Sequence, residues 1–480
     1  MSAWTKSDRG VVASSLLFAA VLAAAWWVDA WYVALLPAAL AVLALAIFRL
    51  DAYLAVLVAA VPLSMNLEDI GGGGLYLPTE PMLAGALVLL LARVLSGQTP
   101  SPLLLRHPVS RWIAASLAWI AFTTLLSWDP LISFKFLVAR TWFVVGFFVF
   151  GGHLFLTQPA TRHRALLLYA FPLAVVVIYT LIRHAGYGFD KDAGHWVMSP
   201  FFKDHTSYGA VLAMFIPPVL ALVTARRFEL VWRVTIAGLL GVLLVGMVLS
   251  YTRAAWVSLA AVAVLYGLMQ VGFRLKTLLL LGVGGLAGGL LILDAVLIQL
   301  ERNDQDSSDD LAEHVESISN VSSDASNLER LNRWSCALAL FEEEPLVGWG
   351  PGTYQFVYAP FQRSEHRTII STNNADGGNA HSEYLGPLAE QGIPGALFMV
   401  GLFGWVLHLG FRLHRKLRNS DERRLAMGVF LGLVTYFVHG VLNNYLDTDK
   451  ASAPFWGFLA LLVVWDLEVS RRTAESAESR

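Results

Sequence analysis

Of the 480 residues, 56% are hydrophobic and 15% are charged, with a mean hydropathy of +0.59. A soluble chain carries about 25% charged residues, so this composition excludes an ordinary soluble enzyme and points to an all-α polytopic membrane protein. The net charge of −2 gives no electrostatic footprint for nucleic acid, and one cysteine, Cys336, excludes an internal disulfide or a thiolate metal site.

Fourteen apolar stretches of roughly membrane length are predicted as spans: 10–28, 31–48, 52–65, 79–96, 111–127, 131–155, 165–183, 206–224, 233–251, 254–270, 276–299, 394–411, 425–445 and 452–467. The first follows Lys6 and Arg9 without a clear cleavage site and is expected to remain as a helix. The third is short enough to be re-entrant. Only Tyr251-Thr252-Arg253 separates the ninth from the tenth, which demands a tight hairpin. With the N-terminus in the cytoplasm, most of the 34 basic residues fall in short inside loops such as Arg412-Leu413-His414-Arg415-Lys416-Leu417-Arg418. That orientation puts the long segment between the eleventh and twelfth spans outside. The expected organisation is N-terminal transmembrane helices over 1–299, a large outer loop over 300–393, C-terminal helices over 394–468 and a cytoplasmic tail over 469–480. No internal repeat of the kind common in transporters is visible.

The long loop has two parts. Residues 301–327 are acidic and Ser-rich and read as a solvated segment. Residues 328–393 carry Trp334, Phe341, Trp349, Tyr354, Phe356, Tyr358, Phe361 and Tyr384, enough for a small core. Leu331, Trp334, Leu338 and Phe341 recur at helical spacing, predicting a helix over 328–343 with one apolar face. Gly348-Trp349-Gly350-Pro351-Gly352 lacks the Lys-Ser/Thr of a phosphate-binding loop and reads as a turn.

His381 is the leading candidate for chemistry, because imidazole titrates near neutrality and takes protons from hydroxyls. The alternative is a histidine that only stabilises the Asp376-Gly377-Gly378-Asn379 turn. Glu383 and Tyr384 are its possible neighbours, although Glu383 reads equally well as a solvated acid at a helix start. Arg253, Arg330 and Arg333 lie on the outer side, against the charge rule, and a guanidinium fork suits phosphate. Snorkelling explains Arg253 as well, and helix salt bridges with Glu329 or Glu342 explain Arg330 and Arg333. Lys135 and Arg140 fall inside the sixth span, where cations are costly and often functional. Asp204 and His205, at the start of the eighth, are weaker candidates for substrate contact. No histidine pair has metal-ligand spacing, so no metal site is expected.

Four segments in order resemble the O-antigen ligase and polymerase family of bacterial membrane glycosyltransferases. They are Ser250-Tyr251-Thr252-Arg253-Ala254-Ala255-Trp256, then Arg330-Leu331-Asn332-Arg333-Trp334 with Glu344-Pro345-Leu346-Val347-Gly348-Trp349-Gly350-Pro351-Gly352-Thr353-Tyr354, then Ala380-His381-Ser382-Glu383-Tyr384-Leu385, and Glu390-Gln391-Gly392-Ile393-Pro394-Gly395. Tyr-Thr separates Ser250 from Arg253, so the first match rests on the arginine. The span count exceeds the roughly twelve of the family's ligases.

The resemblance implies a GT-C-like bundle of about 12–14 spans in the inner membrane with a large periplasmic loop. It implies transfer of a glycan from a polyprenyl-diphosphate donor to an acceptor hydroxyl, inverting and without metal or other cofactor. The acceptor is lipid A core for a ligase and another lipid-linked glycan for a polymerase. By position, Arg253 and Arg330 hold the diphosphate and His381 activates the hydroxyl, while Arg333 sits where the family varies. A protein O-glycosyltransferase and a lipid-linked-glycan transporter are the remaining alternatives.

Overall fold

The computed structural model describes residues 36–66, 75–226, 228–280, 282, 325–362 and 378–478. The predicted spans 10–28 and most of 276–299, and the acidic segment 301–324, lie outside the described residues. The chain forms two compact units, Met1–Val56 and Leu57–Arg480. The first contributes α1 (Leu36–Phe48) and the start of α2 (Leu50–Ala60). Everything that follows concerns the second.

Among its described residues the regular structure is helical, apart from a two-residue antiparallel ladder pairing Met65 with Leu77 and Asn66 with Tyr76. Its helices are α3 (Thr79–Leu95), α4 (Pro102–Arg106), α5 (Pro108–Leu125), α6 (Pro130–Phe143), α7 (Gly151–Thr157), α8 (Thr161–Ala185), α9 (His205–Val223), α10 (Leu230–Val248) and α11 (Arg253–Gln270). After the undescribed stretch come α12 (Ala325–Glu343), α13 (Tyr354–Val357), α14 (Leu385–Lys416), α15 (Ser420–His439) and α16 (Asp449–Glu478). A π-helical segment, Val144–Phe150, joins α6 to α7 without a break.

Seven described helical segments are long and apolar enough to cross a bilayer: Pro130–Thr157, Thr161–Ala185, His205–Val223, Leu230–Val248, Arg253–Gln270, Leu385–Lys416 and Asp449–Ser476. The predicted spans 79–96, 111–127 and 425–445 also form helices, α3, α5 and α15, but these do not reach that standard. For α15 the reason is visible in Asp421, Glu422, Arg423 and Arg424 near its start.

α9 and α16 form the centre, each buried over most of its length, and α15 packs against both. Close approach is achieved with small residues: at Gly432 a Cβ would overlap the Met214 carbonyl oxygen, and at Gly428 it would come 2.8 Å from the Pro217 oxygen. The predicted hairpin is present, with α10 ending at Val248 and α11 starting at Arg253. Both helices lie against α9.

The kink in α14 follows from hydrogen-bond accounting. Gly392 has φ 67° and breaks the helical run. Pro394 has no N–H to give the Glu390 carbonyl, and the Ile393 N–H donates instead to the Pro345 oxygen at 3.0 Å. The carbonyls of Ala389 and Glu390 are thereby released. They accept from Trp349 N at 3.1 Å and Gly350 N at 2.8 Å. The glycine run is therefore a turn, as its sequence suggests, and also a plug for the broken helix. Gly348, Gly350 and Gly352 have φ values of 67°, 114° and 78°. Side chains at the first two would overlap Glu390 and Ser127.

Candidate functional site

α12 forms where the apolar periodicity predicts it, but a different face is buried. Asn332, Arg333, Cys336, Ala337 and Leu340 point inward, while Leu338 is 45% exposed and Leu331, Trp334 and Phe341 are only partly covered. The reason is a polar anchor. Arg333 Nε donates to Glu329 Oε1 at 2.6 Å, and its guanidinium lies 3.9 Å from the Tyr358 ring centroid. Tyr358 stacks on Tyr354 at 5.4 Å, and the Tyr354 hydroxyl donates to the Arg333 carbonyl at 2.8 Å. Cys336, Ala337, Leu340, Tyr354, Val357, Tyr358, Ala380 and Ala389 make one small core. Arg333 thus realises the salt bridge that was the alternative for it. Partner and ring both hold its charged form, despite burial.

Gly378 passes directly over the Arg333 guanidinium, so closely that a Cβ would overlap it. This seats the loop carrying His381. His381 has φ 47°, a left-handed conformation rare for histidine, and it is held on both sides. Its N–H donates to Asn379 Oδ1 at 3.1 Å, and its carbonyl accepts from Trp334 Nε1 at 3.3 Å. The ring is part-buried. Desolvation pushes its pKa down to about 4, with Arg330 and then Arg333 adding to the effect. The imidazole is therefore neutral at pH 7.

Glu383 is buried, not solvated. Its Oε1 accepts from the Tyr436 hydroxyl at 2.5 Å and from the N–H groups of Tyr445 and Leu446 at 2.8 and 3.0 Å. Its own N–H donates to the Gly440 carbonyl at 2.7 Å. This carboxylate fastens the His381 loop to the α15–α16 connection. The Tyr384 hydroxyl makes a parallel tie, donating to the Phe437 carbonyl at 3.0 Å.

Arg330, three residues before Arg333 on α12, reaches the same connection, with Nε donating to the Leu442 carbonyl at 3.3 Å. Its charge acts on His381, on His205 and on His439. Arg253, at the first position of α11, acts on His205 as well. The hairpin carrying Arg253 is docked on the start of α9, where Thr252 Oγ1 donates to the His205 carbonyl at 2.8 Å. Gly209 leaves room for that threonine. Tyr251, at φ 49°, donates its hydroxyl to the Phe189 carbonyl at 3.0 Å. The Tyr-Thr insertion therefore builds the seat of the hairpin.

Asp204 caps α9, accepting from Ser207 N at 2.8 Å and Thr206 Oγ1 at 2.6 Å, and its charge reaches His381 and His439. His205 stacks on His195 at 4.3 Å. His381, Arg330, Asp204, His205 and Arg253 thus belong to one electrostatic neighbourhood, with Arg253 joined to it through His205. Lys135 is exposed on α6 and stands outside this group. Arg140 lies 5.2 Å from the Phe136 ring, and its charge acts on Glu390 and Asp447.

Residues 238–400 match the family described as O-antigen ligase. The chain carries an O-antigen ligase/polymerase-family domain. No curated protein matches the chain. The ligase-family domain spans Arg253, Arg330, Arg333, His381, Glu383 and the Gly392 kink, and it ends within α14. The seven membrane-length helices, by length and composition, accord with a multi-pass membrane protein.

Sequence reasoning missed His439, His195, and the buried carboxylate and ammonium at the start of α16. His439 is buried, with Nε2 3.0 Å from Asn443 Nδ2. Asp449 Oδ2 accepts from Ser64 Oγ at 2.5 Å and Thr79 Oγ1 at 2.6 Å, and Lys450 Nζ donates to the Ser64 carbonyl at 2.8 Å. Asp449-Lys450 between two apolar runs was the available signal, because unpaired charges are rarely kept at that depth.

Proposed function

We propose that this protein transfers a glycan from a polyprenyl-diphosphate donor to an acceptor sugar hydroxyl on the periplasmic side of the inner membrane. Arg330 and Arg253 hold the diphosphate and His381 is the base. The observation that supports this reading is geometric: Arg330 bonds the α15–α16 connection to which Glu383 fastens the His381 loop, and Thr252 docks the Arg253 hairpin on the His205 carbonyl.

The acceptor oxygen attacks the anomeric carbon while the bond to the diphosphate oxygen breaks, inverting the centre. The hydroxyl proton passes to His381, and the diphosphate leaves with its charge opposed by fixed guanidinium groups. Without donor the imidazole is a weak base, because burial and then the charge of Arg330 disfavour its protonated form. A diphosphate bound at Arg330 offsets the arginine's share of that effect and raises the basicity of His381. Donor binding therefore prepares the base, and a hydroxyl arriving without donor is not activated. Asp204, through its reach to His381, works in the same direction.

The test is transfer by the purified full chain from polyprenyl-diphosphate glycan, in EDTA, to lipid A core and separately to a second lipid-linked glycan. Transfer persists in EDTA on this reading, and the two acceptors distinguish ligase from polymerase. His381→Ala and Arg330→Ala abolish transfer at unchanged protein level. Full activity in either variant overturns the mechanism.

A further inference from the structure

We propose that the end of α14 and the segment after α11 together form a binding site for the phosphate headgroup of an anionic membrane lipid. A cavity of about 540 Å³ is lined by Arg274, Leu275, Lys276, His408, Phe411, Arg412, Arg415 and Lys416. Five of these eight residues are permanent cations, and among the described residues no carboxylate lines the cavity. Arg412 is pinned from behind, with Nε 3.2 Å from Asp466 Oδ1 and Nη2 donating to Ser470 Oγ at 2.9 Å. Among the described residues, Arg274, Lys276, Arg415 and Lys416 have no ion-pair partner.

Basic residues in the last turn of a helix are favourable on their own, which accounts for Arg415 and Lys416. It does not account for Arg274 and Lys276, brought to the same cavity from a different part of the chain against mutual repulsion. An anion between the two elements removes that repulsion. The flanking residues choose its source. Val271, Phe273, Leu279 and Leu280 are large, apolar and exposed beside the cations, and Leu275 and Phe411 line the cavity itself. Cations beside exposed apolar side chains suit a phosphate that carries acyl chains, rather than a free anion. The site is separate from the His381 region and stands whether or not the proposed reaction is correct.

The experiment measures thermal unfolding of the purified full chain in detergent, titrated with phosphatidylglycerol, phosphatidylcholine or inorganic phosphate. Phosphatidylglycerol raises Tm saturably, and phosphatidylcholine and inorganic phosphate do not. The surface variants Arg415→Gln and Lys416→Gln, singly and combined with Arg274→Gln, weaken the midpoint of that titration, by about tenfold or more for the triple variant. Arg471→Gln with Arg472→Gln removes charge elsewhere and leaves the midpoint unchanged. An equal response to phosphatidylcholine, a full response to inorganic phosphate, or a triple variant that titrates like the parent overturns the proposal. So does an equal loss in the Arg471 and Arg472 control.

Discussion

Replacing Glu383 by alanine separates its structural role from the chemistry of its neighbour His381. One carboxylate oxygen receives three donors, the Tyr436 hydroxyl and the N–H groups of Tyr445 and Leu446, in a region closed to water. Alanine takes that acceptor from the Tyr436 hydroxyl and the Leu446 N–H, while the Tyr445 N–H keeps the Tyr436 hydroxyl oxygen at 3.1 Å. Each of the two stranded donors costs about 1–3 kcal/mol, so Glu383→Ala should lose about 2–6 kcal/mol. Glutamine keeps an acceptor oxygen at the same reach but gives up the charge, and should lose about 1–2 kcal/mol. The assay is thermal unfolding in detergent, alongside glycan transfer. Glu383→Ala should unfold far earlier than the parent and lose transfer, with Glu383→Gln between them. An alanine variant as stable as the parent would refute the reasoning, because it would mean the stranded donors find other partners at no cost.

The two arginines of α12 should separate by assay: Arg333→Ala strands Glu329 and the Tyr358 face and costs about 3 kcal/mol of stability, whereas Arg330→Ala loses transfer with little change in Tm. Gly350→Ala should lower stability by at least about 2 kcal/mol, since φ 114° is closed to alanine and its Cβ would strike Ser127; thermal unfolding checks this. For pH, His381 in the unfolded chain takes a proton below about 6.5, but the folded chain resists until about 4. Its contribution is complete above pH 6.5 and is lost as pH falls from 6.5 towards 4, by at most about 3 kcal/mol. His381→Asn should flatten that part of the Tm–pH curve. If His381 is the base, kcat/KM should hold down to about pH 4, while kcat falls at higher pH because bound diphosphate raises the imidazole.

Hydropathy and local punctuation determined a good deal. The described apolar runs become helices, Tyr251 and Thr252 fall in the turn between α10 and α11, and the glycine run becomes a turn with positive φ at Gly348, Gly350 and Gly352. These outcomes depend on near neighbours, so they are written along the chain. Tertiary structure alone decided which face of α12 is buried. Apolar spacing favoured Leu331, Trp334, Leu338 and Phe341, but Tyr358 and Gly378, distant in sequence, draw Arg333 inward and turn the helix. It also decided that Glu383 is a buried clasp, because its donors lie more than fifty residues further on. The reach of the Arg253 and Arg330 charges to His205 has the same origin. Charge and hydrogen bonding act through space between segments whose separation along the chain carries no record of their contact.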